Sequence, residues 1–126
     1  LTDRALAGEW VGEASFDGLR LLCDEVPIPR LLIDDHIAGF ALDAQGWQPR
    51  SEDDLIRYCH HVAGAVGMMM ALVMGVHPDD RDTMTRADDL GIAFQLANIA
   101  RDVREDAEGG RCYLPEAWLE ELEVSP

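Results

Sequence analysis

Gly91-Ile-Ala-Phe-Gln95-Leu-Ala-Asn98-Ile-Ala-Arg101-Asp102-Val-Arg-Glu-Asp106 reads as one helix carrying a polar stripe. With Gln95 at zero on a wheel of about 100° per residue, Asn98 falls near −60°, Asp102 near −20° and Asp106 near +20°. Asp102 and Asp106 are therefore i, i+4 neighbours. Like charges at that spacing cost a helix a few tenths of a kcal/mol. A divalent cation between them reverses the sign. Mg²⁺ takes oxygen ligands and keeps its remaining positions for water or substrate phosphate. Such a pair also occurs on many solvated helix faces, so spacing alone does not decide between the two readings. The apolar neighbours Leu90, Ile92, Phe94, Leu96, Ala97 and Ile99 predict that the stripe runs into a buried cavity, where polar groups need partners.

Outward from this helix, the periodicity is helical everywhere and no segment alternates in the manner of a strand. The sequence predicts two short helices over Thr2–Asp24, broken by Pro27 and Pro29, then a helix over Pro29–Leu42. On that helix Leu32, Ile33, His36, Ile37 and Phe40 share a side. Gly46 to Pro49 reads as a turn. Ser51 is a good N-cap, and Glu52, Asp53 and Asp54 suit the positive end of a helix dipole. A long helix follows to about Gly75. The quoted helix starts at Asp82 or Thr83, runs to about Ala107 and is ended by Gly109-Gly110. A short helix spans Glu116 to about Glu123. The expectation is an all-α fold of five or six helices.

The chain has 126 residues, 48% of them apolar, which suits one domain with a real core. Its net charge is −15, with 25 acidic against 10 basic residues. That balance argues against nucleic acid, whose phosphates need a cationic surface. Cys23, Cys59 and Cys112 show no metal-ligand spacing and read as reduced thiols of a cytoplasmic protein. His60 and His61 would point about 100° apart on an α-helix, so they are not expected to chelate one ion together, and zinc is not expected. The apolar run Val62–Val76 is shorter than the roughly 20 residues that span a bilayer, and it reads as a core helix.

Four segments carry a family likeness. Phe94 to Asp106 closely resembles the second aspartate-rich motif of the phytoene/squalene synthase family. Gly110-Arg111-Cys112-Tyr113-Leu114-Pro115 resembles the segment that follows it in bacterial phytoene synthases. Tyr58-Cys59-His60-His61-Val62-Ala63-Gly64-Ala65-Val66-Gly67 resembles the family's Tyr-Cys-x-x-Val-Ala-Gly signature. Gly39-Phe40-Ala41-Leu42-Asp43 resembles a further family segment.

The resemblance implies the all-α class I isoprenoid synthase fold and a prenyltransferase that joins two geranylgeranyl diphosphates head to head into phytoene. The route passes through a cyclopropylcarbinyl diphosphate. By the same likeness Asp102 and Asp106 bind Mg²⁺ (or Mn²⁺) with Asn98 assisting, and Gln95 lines the cavity. Arg101 and Arg111 contact diphosphate or form surface ion pairs. Tyr58 faces the catalytic centre, where its ring steers carbocations. Val62, Ala63, Val66 and Gly67 leave room for a prenyl chain or allow tight helix packing. A squalene-type synthase using farnesyl diphosphate and NADPH is the nearest alternative. A non-catalytic helical interaction module and another Mg²⁺-dependent helical enzyme are the others.

The likeness makes residues 1–126 a central part of such a domain. The family's first aspartate-rich motif would lie before Leu1 and its last helices after Pro126. Asp34-Asp35 falls in the segment after that motif, and Asp53-Asp54 reads as a helix start. On its own this fragment is expected to be inactive and to self-associate through apolar surface. Lipid substrate and product leave room for peripheral membrane contact, with no anchor in view.

Overall fold

The structure is a computed structural model describing residues 1–125, and every regular element among them is helical. In chain order these are α1 (Thr2–Leu6), α2 (Ala14–Glu25), α3 (Arg30–Ala44), α4 (Glu52–Cys59), a π-helical segment (His60–Gly64), α5 (Ala65–Val73), α6 (Arg81–Glu108) and α7 (Glu116–Glu121). α4, the π segment and α5 follow one another without a break, so the described residues make six rods.

Local chemistry sets the ends. The Ser51 hydroxyl accepts from the Asp54 amide at 3.2 Å above the acidic first turn of α4. The Asp80 carboxylate caps α6 through the Thr83 amide at 3.1 Å, which starts that helix at Arg81, just before the expected Asp82 or Thr83. α6 stops at Gly109, and Gly110 takes φ 77°, a conformation closed to most side chains. Pro29, which cannot donate, stands immediately before α3.

The central rod departs from the expected uniform α-helix in its π segment. A π-turn inserts an extra residue into the helical ladder and persists only where packing compensates it. Here the compensation comes from α3 and α6. A Cβ on Gly91 would lie 2.5 Å from the Ala63 carbonyl oxygen and 2.8 Å from Gly64 Cα. A Cβ on Gly67 would lie 2.5 Å from the Ala87 carbonyl oxygen, and one on Gly39 would lie 2.5 Å from Val62 Cγ1. Backbone thus meets backbone where the rod crosses α6.

Two apolar clusters flank this crossing. Leu32, Ala65, Ala71, Leu72 and Met84 form one, and Leu55, Tyr58, Cys59 and Ile99 the other. The buried stripes are narrower than the sequence suggested. On α3, Leu32 and Ile33 are buried, whereas Ile37 and Phe40 are 43% and 58% exposed. On α6, Met84 and Ile99 are buried, whereas Leu90 and Phe94 are 59% and 64% exposed. Gly39, Gly67 and Gly91 occupy the contact lines. The tail is tied back by amides of Glu116 and Ala117, which donate to the carbonyls of Pro49 and Arg50 at 2.9 and 3.0 Å.

Gly91→Ala forces two backbones apart, and we expect a loss at the upper end of about 1–3 kcal/mol. Gly18→Ala, inside α2 with open space around it, should gain about 0.5–1 kcal/mol from helix propensity. Thermal melts read both, at roughly 2–8 °C per kcal/mol. Equal melting temperatures for the two variants would contradict the crossing.

Candidate active site

The last turn of α3 presents Asp43, the residue around which the polar groups gather. Tyr58, from α4, places its hydroxyl 3.0 Å from both Asp43 carboxylate oxygens. Tyr113, beyond α6, donates to Asp43 Oδ1 at 2.7 Å. Arg111 Nη1 donates to the Tyr113 hydroxyl at 3.1 Å and lies 3.7 Å from Asp43 Oδ1. The two tyrosine rings stack with centroids 5.2 Å apart, and Trp47 flanks Tyr58 at 5.3 Å. A cavity of about 470 Å³ opens beside this group, lined by Asp43, Trp47, Ile99, Asp106, Arg111 and Tyr113 among others. Asp43 and Asp106 therefore border one space from different helices.

Burial raises the Tyr58 hydroxyl far above its ordinary value, and the bonds to Tyr113 and Asp43 add to it. Burial and then Asp43 raise Tyr113, against the opposing bonds from Arg111 and Tyr58. Both hydroxyls are thereby fixed as donors to a carboxylate. Tyr58 is only 3% exposed and does not itself line the cavity. It acts on that space through Asp43.

The sequence-predicted stripe divides along its length. Asp106 borders the cavity. Asp102 is half-buried and held by Arg101, whose Nε and Nη2 donate to its two oxygens at 2.6 and 2.8 Å. That bond keeps Asp102 below the usual carboxylate range. Gln95 is half-buried and Asn98 exposed. The expectation of a buried cavity around Gln95 and Asn98 is not met among the described residues. Phe94 and Leu90 face outward, and the enclosed space lies about two to three turns beyond Asn98 and Gln95, at Asp106. Arg111 turns to Tyr113 and Asp43, away from any simple surface pair. Of the small residues, Ala63 and Gly67 lie in the crossing with α6, Val62 packs on Gly39 and the Leu55–Tyr58–Cys59–Ile99 cluster, and Val66 is exposed.

Sequence reasoning missed Asp43, Tyr113 and Trp47 as site residues. A signal existed for two of them. Asp43 closes the segment Gly39–Asp43 and Tyr113 sits in Gly110–Pro115, both already singled out. The two histidines lie on the π segment rather than on the plain α-helix expected. The wider π-turn brings successive side chains closer in direction than an α-turn does. The His60 and His61 rings lie 5.7 Å apart, and donor atoms of Asp35, His60 and His61 all fall within 4.8 Å of one another.

The squalene/phytoene synthase family model matches residues 2–126. The chain belongs to the squalene/phytoene synthase family. It is 62% identical over 87 residues to a 15-cis-phytoene synthase of Enterobacter agglomerans, covering 69% of this chain and 29% of that protein. It is 49% identical over 119 residues to a 15-cis-phytoene synthase of Pantoea ananas, covering 94% of this chain and 38% of that one. The chain thus spans about a third of these relatives. Among solved structures, a dehydrosqualene synthase in complex with ligand superposes with a TM-score of 0.86 at 31% identity, covering 98% of this chain and 43% of that chain. A squalene synthase of Alicyclobacillus acidocaldarius gives 0.85 at 27%, covering 98% and 46%. The squalene/phytoene synthase likeness extends over nearly every element here, and the all-α isoprenoid synthase fold expected from the sequence is present.

Tyr58 and Tyr113 are the chain's two tyrosines. A near-ultraviolet phenolate titration of the folded chain should therefore show no ionisation at the ordinary value of about 10. Asp43→Asn should bring both down towards it, with burial still holding Tyr58 higher. A normal phenolate step in the unaltered chain would contradict the cluster.

Proposed function

We propose that this region supplies one wall of a head-to-head prenyltransferase that condenses two geranylgeranyl diphosphates into phytoene. The observation that carries the reading is the convergence of Asp106, Asp43, Tyr113 and Arg111 on one cavity, in a chain 49% identical to a 15-cis-phytoene synthase along nearly its whole length. Residues 1–126 would be the central part of the enzyme domain, as the resemblance suggests.

Asn98, Asp102 and Asp106 offer only oxygen donors, one turn apart on one face of α6, a set that fits Mg²⁺, or Mn²⁺ in its place. Bound there, the metal would neutralise the diphosphate leaving group. Arg111, poised beside the cavity on Tyr113, is placed to bind diphosphate oxygens, and Arg101 can exchange Asp102 for phosphate. The Tyr58–Asp43–Tyr113 group holds its protons firmly, so it orients and shields a cationic intermediate rather than titrating. Gln95, Val62 and Val66 would border the prenyl chain, with Ala63 and Gly67 holding the rod against α6 behind them. The outward Ile37, Phe40, Met70, Leu90 and Phe94 extend that apolar surface along α3, α5 and α6. The same exposed side chains favour self-association of the isolated chain and contact with a membrane surface. No helix among the described residues is long and apolar enough to cross a membrane.

A squalene-type reaction is the second reading, because the structural neighbours are a dehydrosqualene and a squalene synthase. The higher identity to phytoene synthases favours the first. Assays of the sequence extended to its relatives' length discriminate. Phytoene should form from geranylgeranyl diphosphate and Mg²⁺ without NADPH. Asp102→Ala should lower kcat/KM on the order of 10²-fold or more without unfolding the protein. No product from an intact, folded protein, or product only from farnesyl diphosphate with NADPH, would overturn the phytoene reading.

A further inference from the structure

A second cluster lies apart from this chemistry. Asp35 is on α3, His60 and His61 open the π segment, and Asp88 is on α6. Asp35 and Asp43 are eight residues apart on α3, about 12 Å along its axis. His60 Nδ1 lies 2.6 Å from Asp88 Oδ1, and His60 Nε2 lies 3.0 Å from Asp35 Oδ2. His61 Nδ1 is buried without a hydrogen-bond partner and lies 3.8 Å from Asp35 Oδ1.

The orphaned nitrogen is the informative atom. Leaving a buried polar atom unpaired costs about 1–3 kcal/mol. A proton between His60 and Asp35 does nothing for it. A cation shared by Asp35, His60 Nε2 and His61 Nδ1 satisfies all three donors at once. Ligands about 2.0–2.2 Å from a tetrahedral ion stand roughly 3.3–3.6 Å apart. One donor atom from each of Asp35, His60 and His61 already lies within 4.8 Å of the others, so small side-chain rotations close the set. Metal-bound histidines usually donate their other ring N–H to a carboxylate, which fixes the tautomer. Asp88 accepts from His60 Nδ1 in that manner. Two imidazoles and one carboxylate suit zinc and its neighbours in the first transition row, whereas Mg²⁺ prefers oxygen alone.

We propose that Asp35, His60 and His61 form a divalent transition-metal site of the zinc class, oriented by Asp88 and with one position open. It would join α3 to the central rod away from the diphosphate end.

The test is calorimetric titration of the chelator-stripped 126-residue chain with Zn²⁺, in excess Mg²⁺ to occupy oxygen-only sites. X-ray absorption at the zinc edge then reads the ligands directly. We expect one zinc per chain and a shell containing two imidazoles. Asp88→Asn should weaken binding about 10–100-fold, and His61→Gln by at least as much. His77→Gln, at an exposed surface pair, should leave it unchanged. Should the cluster variants fail to fold, the absorption spectrum of the unaltered chain still decides. No zinc retained in excess Mg²⁺, an oxygen-only shell, or an affinity indifferent to His61→Gln in a folded variant would each overturn the site.

Discussion

Where the central rod crosses α6, the two backbones approach so closely that no side chain fits between them. Gly91 meets the Ala63 carbonyl and Gly64, and Gly67 meets the Ala87 carbonyl. Close-packed interiors tolerate little added volume, so this contact fixes the relative position of both helices. The rest follows from it. Ile99, two turns beyond Gly91, is brought against Leu55, Tyr58 and Cys59, and Met84, two turns before it, against Ala65 and Leu72. The crossing also brings Asp88 onto His60.

The same contact accounts for the shape of the chemistry. With α6 fixed against the rod, Asp106 reaches the space bordered by Asp43, at the end of α3. The chain beyond Gly110 folds back to add Tyr113 and Arg111, and α7 is held to the loop after α3 by the Pro49 and Arg50 carbonyls. A carboxylate, two tyrosine hydroxyls and a guanidinium thus arrive from three separate parts of the sequence.

Much of the architecture was legible because it is local. Ser51 with its acidic turn, the Pro27 and Pro29 break, and the Gly109-Gly110 stop each act through neighbouring residues, and each falls where the sequence placed it. The i, i+4 relation of Asp102 and Asp106 follows from helix geometry alone. What was illegible depends on long-range packing. The π-turn is packed between α3 and α6, so the sequence of the rod by itself predicts an ordinary helix through His60 and His61. Phe94 and Leu90 were expected to border a buried cavity, and among the described residues they face outward. Asp43 had no role assigned beyond closing the Gly39–Asp43 segment, because the two tyrosines that reach it come from elsewhere in the chain.

The central claim is that α6 carries a hard-metal and diphosphate end at Asp102 and Asp106, opening on the Asp43 cavity. Anomalous scattering from Mn²⁺ tests it most directly, in crystals of the sequence extended to its relatives' length with a non-hydrolysable geranylgeranyl diphosphate analogue. A manganese peak is expected within bonding distance of the Asp102 or Asp106 carboxylates, with the analogue's diphosphate bound to the same ion. A diphosphate bound elsewhere, with no manganese at either aspartate, would contradict it.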